Sequence, residues 1–270
     1  MDPIITSAVV SFTTAFATSS FNNATGPAQA LDDAMALVGF DKLHMWAEKR
    51  RTKQDFELKR YKEQIAQEII KIPEGNLQEP KLSIIGPALE ASKYYIEEEE
   101  LSEMFARLIS SSMDSSKDSL VHPSYVEIIK QMTPLDAENL MNIVKGEDLI
   151  AQIRIDMDKN RYSIQHTHLF LGNPNCNDQN LLAPSIENLS RLKLIDVSYS
   201  TCSPEENAYD KFELMQEYAN LKNGLEESRK AVKLGLMEKN SVNDIKEVRI
   251  VKGLIEIPLF GKNFCNICLA

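Results

Sequence analysis

Residues 101–143 read LSEMFARLISSSMDSSKDSLVHPSYVEIIKQMTPLDAENLMNI. The stretch divides into three amphipathic helices separated by two punctuated turns. Leu101, Phe105 and Leu108 stand at i, i+4 and i+7, the spacing of one buried helical face. Asp114-Ser-Ser-Lys-Asp118 is a polar break. Pro123 opens a second helix with Tyr125, Ile128, Ile129 and Met132 on one side. Thr133-Pro134 opens a third: threonine is the N-cap, proline sits in the first turn, and Asp136 faces the positive helix end. Every signal here concerns packing, which points to a protein that works by binding, assembly or shape change.

Upstream, Glu97–Glu100 marks a helix start, where acids complement the dipole. The carboxylates are adjacent, so on a helix they point in different directions and do not form a metal cluster. Pro80 and Gly86-Pro87 bound a short segment, and Pro73-Glu-Gly-Asn76 ends a long helical pattern running from Ala28 to Lys71. Lys49–Lys53 lies within that pattern; its interleaved acids describe a solvated helix with i, i+4 pairs, although basic side chains could also meet anionic lipid. Ahead of it, Pro3–Leu31 contains no charged residue. Ile5, Val9, Phe12 and Phe16 follow at i, i+4, i+7 and i+11, an apolar stripe among small and hydroxylated residues. Such a stripe either docks on the protein body or, when triggered, packs against copies of itself or enters membrane. β-Branched residues leave a strand open as well.

Downstream, the order is helix (Pro123–Met132), helix (Pro134–Val144), helix (Pro184–Leu192), then apolar strands at Leu194–Tyr199 and Val248–Ile257. This predicts a winged-helix-like region with a small β-hairpin, interrupted by a helix over Pro204–Lys239 that carries Tyr209, Phe212, Met215 and Ala219 on one face. The fold expected is mainly α: an N-terminal helical region (1–72), then a helical core (80–270) whose part from about 122 is winged-helix-like α+β. The segment that would enter a DNA groove, Ser185–Lys193, offers only Arg191 and Lys193 beside Glu187. Sequence-specific readout needs more base- and phosphate-contacting side chains, so protein contact is the preferred use of a wing.

The same residues carry a resemblance. The order of an acidic run, EL-EMFA-LI-SSM, a polar break, VHPS-VEI-KQ and TP-DA--L resembles the Abi-alpha (abortive-infection alpha) family of bacterial proteins linked to phage defence. Ile186-Glu-Asn-Leu-Ser-Arg-Leu-Lys-Leu-Ile195 resembles its -NL-RL-LI- element. Leu259-Phe-Gly-Lys-Asn-Phe-Cys265 resembles its closing fG--F---C motif, with Pro258-Leu259 where the family usually has threonine. The resemblance implies a role in abortive infection and transfers no catalytic motif.

Composition fits a globular protein, with 43% hydrophobic and 26% charged residues. A net charge of −10 argues against broad attraction to nucleic acid, and most of the excess acid lies in residues 1–150. No signal peptide or membrane-spanning run is visible, so a cytoplasmic setting is expected, peripheral at the inner membrane on activation. Four cysteines form no disulfide framework. Cys265-Asn-Ile-Cys268 reads as buried structural thiols on a closing helix with Phe264, Ile267 and Leu269. His122 reads as a helix-start residue. His166-Thr-His168 would place two rings on one face of a strand, but no carboxylate completes a recognised site. There is no P-loop, G-x-S-x-G, H-E-x-x-H or G-x-G-x-x-G, and no cofactor or metal is expected. The expected function is therefore non-enzymatic defence through a homo-oligomer or protein partner, with Ile5, Val9, Phe12 and Phe16 as the assembly or membrane interface. Alternatives are a winged-helix DNA-binding regulator and a metal-dependent hydrolase or nuclease built on His166 and His168.

Overall fold

A computed structural model describes residues 51–236 and 244–269, with side chains from Phe56 onward. The leading stripe of Ile5, Val9, Phe12 and Phe16 lies outside the described residues. The described residues divide into two units, one of residues 51–137 with 259–269, the other of residues 138–236 with 244–258.

The first unit is helical. It contains α1 (Arg51–Ile70), α2 (Leu82–Ser92), α3 (Glu99–Ser111), α4 (Ser124–Ile129) and the start of α5 (Pro134–Val144). Leu101, Phe105 and Leu108 are all fully buried on α3, the face its spacing predicts. Tyr61, Ile65 and Ile69 line the inner side of α1 at i, i+4 and i+8. Glu99 and Glu100 occupy the first turn of α3. At α5 the N-cap closes reciprocally: the Asp136 backbone N–H donates to Thr133 Oγ1 at 3.2 Å, and the Thr133 N–H donates to Asp136 Oδ2 at 2.7 Å. Gly86-Pro87 does not bound a segment. Pro87 lies inside α2, whose burial of Ile84, Ile85, Ala88 and Leu89 outweighs one missing backbone donor.

The second unit is built on a sheet. Its elements are the remainder of α5, β1 (Leu149–Met157), β2 (Tyr162–Phe170), α6 (Gln179–Arg191), β3 (Asp196–Ser198), α7 (Asp210–Glu213), α8 (Gln216–Lys233) and β4 (Ile245–Glu256); the chain then returns to the first unit as α9 (Leu259–Cys268). The four strands are antiparallel in the order β2-β1-β4-β3. The two strands expected as a wing do pair with each other, as β3 and β4. However, they are two strands of a larger sheet, because β1 and β2 add a hairpin on the far side of β4. One sheet face packs Ala151, Ile153 and Val248 against Tyr209 and Phe212, with Met215, Tyr218, Leu221 and Leu225 at the margin. The helix expected over Pro204–Lys239 is two helices, broken at Leu214-Met215. The break turns Tyr209 and Phe212 onto the sheet while α8 continues along it.

Two helix ends follow from backbone chemistry. α6 begins at Gln179, not Pro184: Asp178 caps it by accepting the Asn180 N–H at 2.9 Å, which leaves Pro184 in the interior. The helix ends with Lys193 in the left-handed region (φ 59°). Leu194 N–H donates to Leu189 O, and Lys193 N–H to Ser190 O, the paired bonds of a Schellman close. In β4, Gly253 is obligatory. A Cβ there would lie 2.6 Å from Ser198 O and 2.7 Å from the Tyr199 ring, so only glycine lets β3 approach.

Candidate functional site

Among the described residues of the first unit, a polar cleft forms where α1, α3 and the turn after α3 converge. It has a volume of about 150 Å³ and is lined by Glu68, Lys71, Ile72, Arg107, Ser110, Ser111, Asp114 and Lys117. Its charges are mutually engaged. Glu68 lies 2.7 Å from Lys71 and 3.8 Å from Arg107, and Glu103 lies 3.4 Å from Arg107. Asp114 accepts from the Ser116 N–H (2.9 Å) and hydroxyl (2.6 Å), so the polar break Asp114–Asp118 is a capped turn.

This cleft grips the end of α9. Arg107 Nη1 donates to Leu269 O at 3.0 Å and Ser111 Oγ donates to Ile267 O at 3.3 Å. Carbonyls at a helix C-terminus carry partial negative charge and lack intrahelical donors, so a guanidinium and a hydroxyl satisfy them. Along the same helix, Phe260 and Phe264 meet Tyr125 edge-on, with ring centroids 5.6 and 5.3 Å apart. His122 lies beside Phe260, and its Nδ1 accepts the Ser124 N–H at 3.1 Å, the helix-start role its position predicts.

Cys265 and Cys268 are buried on α9, as structural thiols would be. Burial pushes the Cys265 thiol up to about 12 and Cys268 well above its ordinary value. Both are held as neutral thiols at physiological pH, which makes them poor nucleophiles. Burial also raises Tyr125 to about 12, with the neighbouring thiols adding to the effect.

In the second unit the two histidines of His166-Thr-His168 do not follow simple strand alternation. β2 is irregular where it passes Ile153, and His168 has φ 52°. An extra residue in a strand breaks the period of two, so the one-face inference fails here. His168 instead stacks on Tyr199, whose hydroxyl lies 3.1 Å from Nδ1 and accepts the His168 N–H at 3.0 Å. Burial lowers the His168 pKa, partly offset by Glu187. Among the described residues, no three His, Cys, Asp or Glu side chains gather as a metal ion would require. A buried amide chain lies nearby. Asn173 Nδ2 donates to Asn139 Oδ1 (2.7 Å) and Asn139 Nδ2 to Ser185 Oγ (2.9 Å), while Asn173 Oδ1 accepts the Asn175 and Cys176 N–H groups. This chain shapes the loop between β2 and α6.

Three of the sequence elements read at the outset, on α3, α4 and α9, thus meet in one unit. Comparison with family descriptions matches residues 53–268 to abortive infection alpha. The chain belongs to the abortive infection alpha family. Comparisons with curated proteins and with solved structures return no match. In this abortive infection alpha protein the matched span begins within α1 and closes at the last residue of α9, so it coincides with the two described units. The family supports a role in abortive infection, a form of phage defence. Among the described residues no helix is long and apolar enough to cross a membrane.

Sequence reading missed the Glu68–Arg107–Lys117 cleft, because its members are separated by up to fifty positions. The local signal was the serine run Ser110–Ser112, buried on an otherwise apolar helix end. Ser110 and Ser112 donate back to carbonyls three residues earlier, while Ser111 turns outward to α9.

Proposed function

We propose that this protein acts in abortive infection without catalysis, through assembly or triggered membrane or partner contact of its leading segment, while the described units restrain that segment and report the trigger. The observation carrying this reading is a division of the chain. The family match begins at residue 53, and the charge-free stretch Pro3–Leu31 with its stripe of Ile5, Val9, Phe12 and Phe16 precedes it. A segment without charge in an acidic chain is suited to self-packing or an apolar environment. The described fold is held by buried aromatics, neutral thiols and paired charges, the chemistry of a scaffold.

The winged-helix reading takes its place here as a protein-contact module of α6, β3 and β4. Arg191 is held by Asn188 at 2.7 Å and Lys193 by Asp196 at 3.1 Å, which supports protein rather than nucleic-acid recognition. The partner is a second copy or another protein, and the setting is cytoplasmic with contact at the inner membrane on activation.

The test is the solution mass of the full chain with and without anionic liposomes. The expected result is a liposome-bound population, or an assembly larger than a dimer, that the Phe12→Asp/Phe16→Asp variant lacks. A chain that stays lipid-free and no larger than a dimer in both conditions rejects the proposal.

A further inference from the structure

Among the described residues β2 is an edge strand, and its first three residues leave a row of main-chain groups open. Met157 N–H donates to Arg161 O at 2.8 Å, which fixes the phase of the β1–β2 ladder. Antiparallel pairs alternate between hydrogen-bonded and non-hydrogen-bonded. Counting from Met157–Arg161, the pair Ile155–Ser163 is bonded, and the pairs Asp156–Tyr162 and Arg154–Ile164 are not. The N–H and C=O groups of Tyr162 and Ile164 therefore point away from β1, toward the free side of the sheet. Strand edges in monomeric proteins are ordinarily guarded by charge, proline or a bulge. Irregularities guard β2 beyond Ile164. Among the described residues nothing guards its start: from Tyr162 to Phe170 there is neither charge nor proline, and Tyr162 and Ile164 are 56% and 47% exposed.

We infer that this edge is a contact between two copies of the chain, formed by antiparallel pairing of β2 with β2 about a two-fold axis through Ser163. The register follows from the outward groups. Tyr162 faces Ile164 of the second copy and Ile164 faces its Tyr162, giving two hydrogen-bonded pairs and four main-chain bonds. Side chains of a facing pair lie on the same side, so each tyrosine ring covers an isoleucine across the junction, a favourable aromatic–β-branched pair. Arg154 already lies over the Tyr162 ring at 4.5 Å and holds it upright on that face. The occupant is a second copy because the edge matches itself: the paired residues Tyr162, Ser163 and Ile164 carry no charge, and the nearby Arg154 is neutralised by Asp156 of its own copy at 2.6 Å. The sheet becomes eight strands, and the small contact makes the association weak and concentration-dependent.

This contact is separate from the leading segment, and one geometric consequence isolates it. Ser163 meets its own copy across the axis as a non-hydrogen-bonded pair, with Cα atoms about 4.5 Å apart, within disulfide range. The experiment uses the full chain with the exposed Cys202 replaced by serine. Under a glutathione redox buffer, Ser163→Cys is expected to form a disulfide-linked dimer at least ten times faster than Gln165→Cys, which does not face itself. Adding Ile164→Pro removes an outward N–H while sparing the β1 ladder and is expected to slow the cross-link tenfold or more, with the melting transition retained. Adding Phe12→Asp/Phe16→Asp is expected to leave it unchanged, so failure of the leading-segment proposal would be seen independently. Equal cross-linking at 163 and 165, persistence with Ile164→Pro, or loss with the Phe12/Phe16 variant would overturn the inference.

Discussion

The two units both bury acids, but only the sheet unit also half-buries a base. In the helical unit the buried side chains Tyr61, Tyr125, Cys265 and Cys268 are acids held neutral, all raised chiefly by burial. In the sheet unit the distinctive group is a base, His168, whose pKa burial lowers; Tyr199 beside it and Tyr209 elsewhere in the unit are raised. The helical unit is closed by a terminal helix that returns to it after more than a hundred residues, and its stability rests on the aromatic contacts of that helix. The sheet unit is closed by strand pairing and one indispensable glycine. Each unit therefore has its own weak point and its own unfavourable pH.

The largest expected break is Phe264→Ala. Removing a fully buried ring against Tyr125 costs about 3–5 kcal/mol. Hydrogen exchange should show lost protection in α3, α4 and α9, with the β1–β4 ladder much less affected; equal loss in both would mean that they do not open separately. Next is Gly253→Ala, in which the added carbon meets the Ser198 carbonyl and the Tyr199 ring. Overpacking of this kind costs about 1–3 kcal/mol. Its loss should fall on β3–β4 and spare α9, the mirror of the first variant.

The pH limbs sharpen the contrast. A thiol whose folded pKa is raised stays protonated while the unfolded chain ionises, so stability is full below the unfolded value near 9 and falls as pH rises toward the folded value. For Cys265 that window runs from about 9 to about 12, with a slope of about 1.4 kcal/mol per pH unit. Denaturant melts between pH 8 and 9.5, below the ordinary tyrosine value of 10, should weaken the helical unit, and Cys265→Ala should reduce the slope, leaving the share of Cys268. His168 works in the other direction. Its folded pKa is lowered, so the unfolded chain takes up the proton first, and stability contributed at neutral pH is lost as pH falls below about 6.5. His168→Gln should flatten that acid limb for the sheet amides. The smallest effect is a gain. Lys193 holds a left-handed helix end that glycine adopts freely, so Lys193→Gly should add about 0.5–1 kcal/mol, less the exposed Asp196 pair. A loss would mean that the ion pair outweighs the backbone.

The helical unit was legible because its signals are local. The spacing of Leu101, Phe105 and Leu108, the Thr133–Asp136 cap and the acids at Glu99 and Glu100 each lie within a turn or two of one another. The closing helix and its buried cysteines were readable for the same reason. The sheet was half legible. β4 alternates, and β3 follows the helix end. β1 and β2 escaped notice because β1 is buried at Ile150 to Ile153 without alternation and β2 is polar and bulged, so neither shows a clean period of two. The prolines misled twice, at Pro87 and Pro184, where burial of a helical face outweighed one missing donor. The polar cleft depends on Glu68, Arg107 and Ile267 meeting across the unit, which no local pattern encodes.

The central claim is that the charge-free leading segment is the effector and the family-matched body restrains it. Phage challenge of cells carrying the full chain, parent against Phe12→Asp/Phe16→Asp, tests this most directly. The expected result is plaque formation restored to the level of cells without the protein, at unchanged protein abundance and melting temperature. A double variant that blocks phage as well as the parent would contradict it.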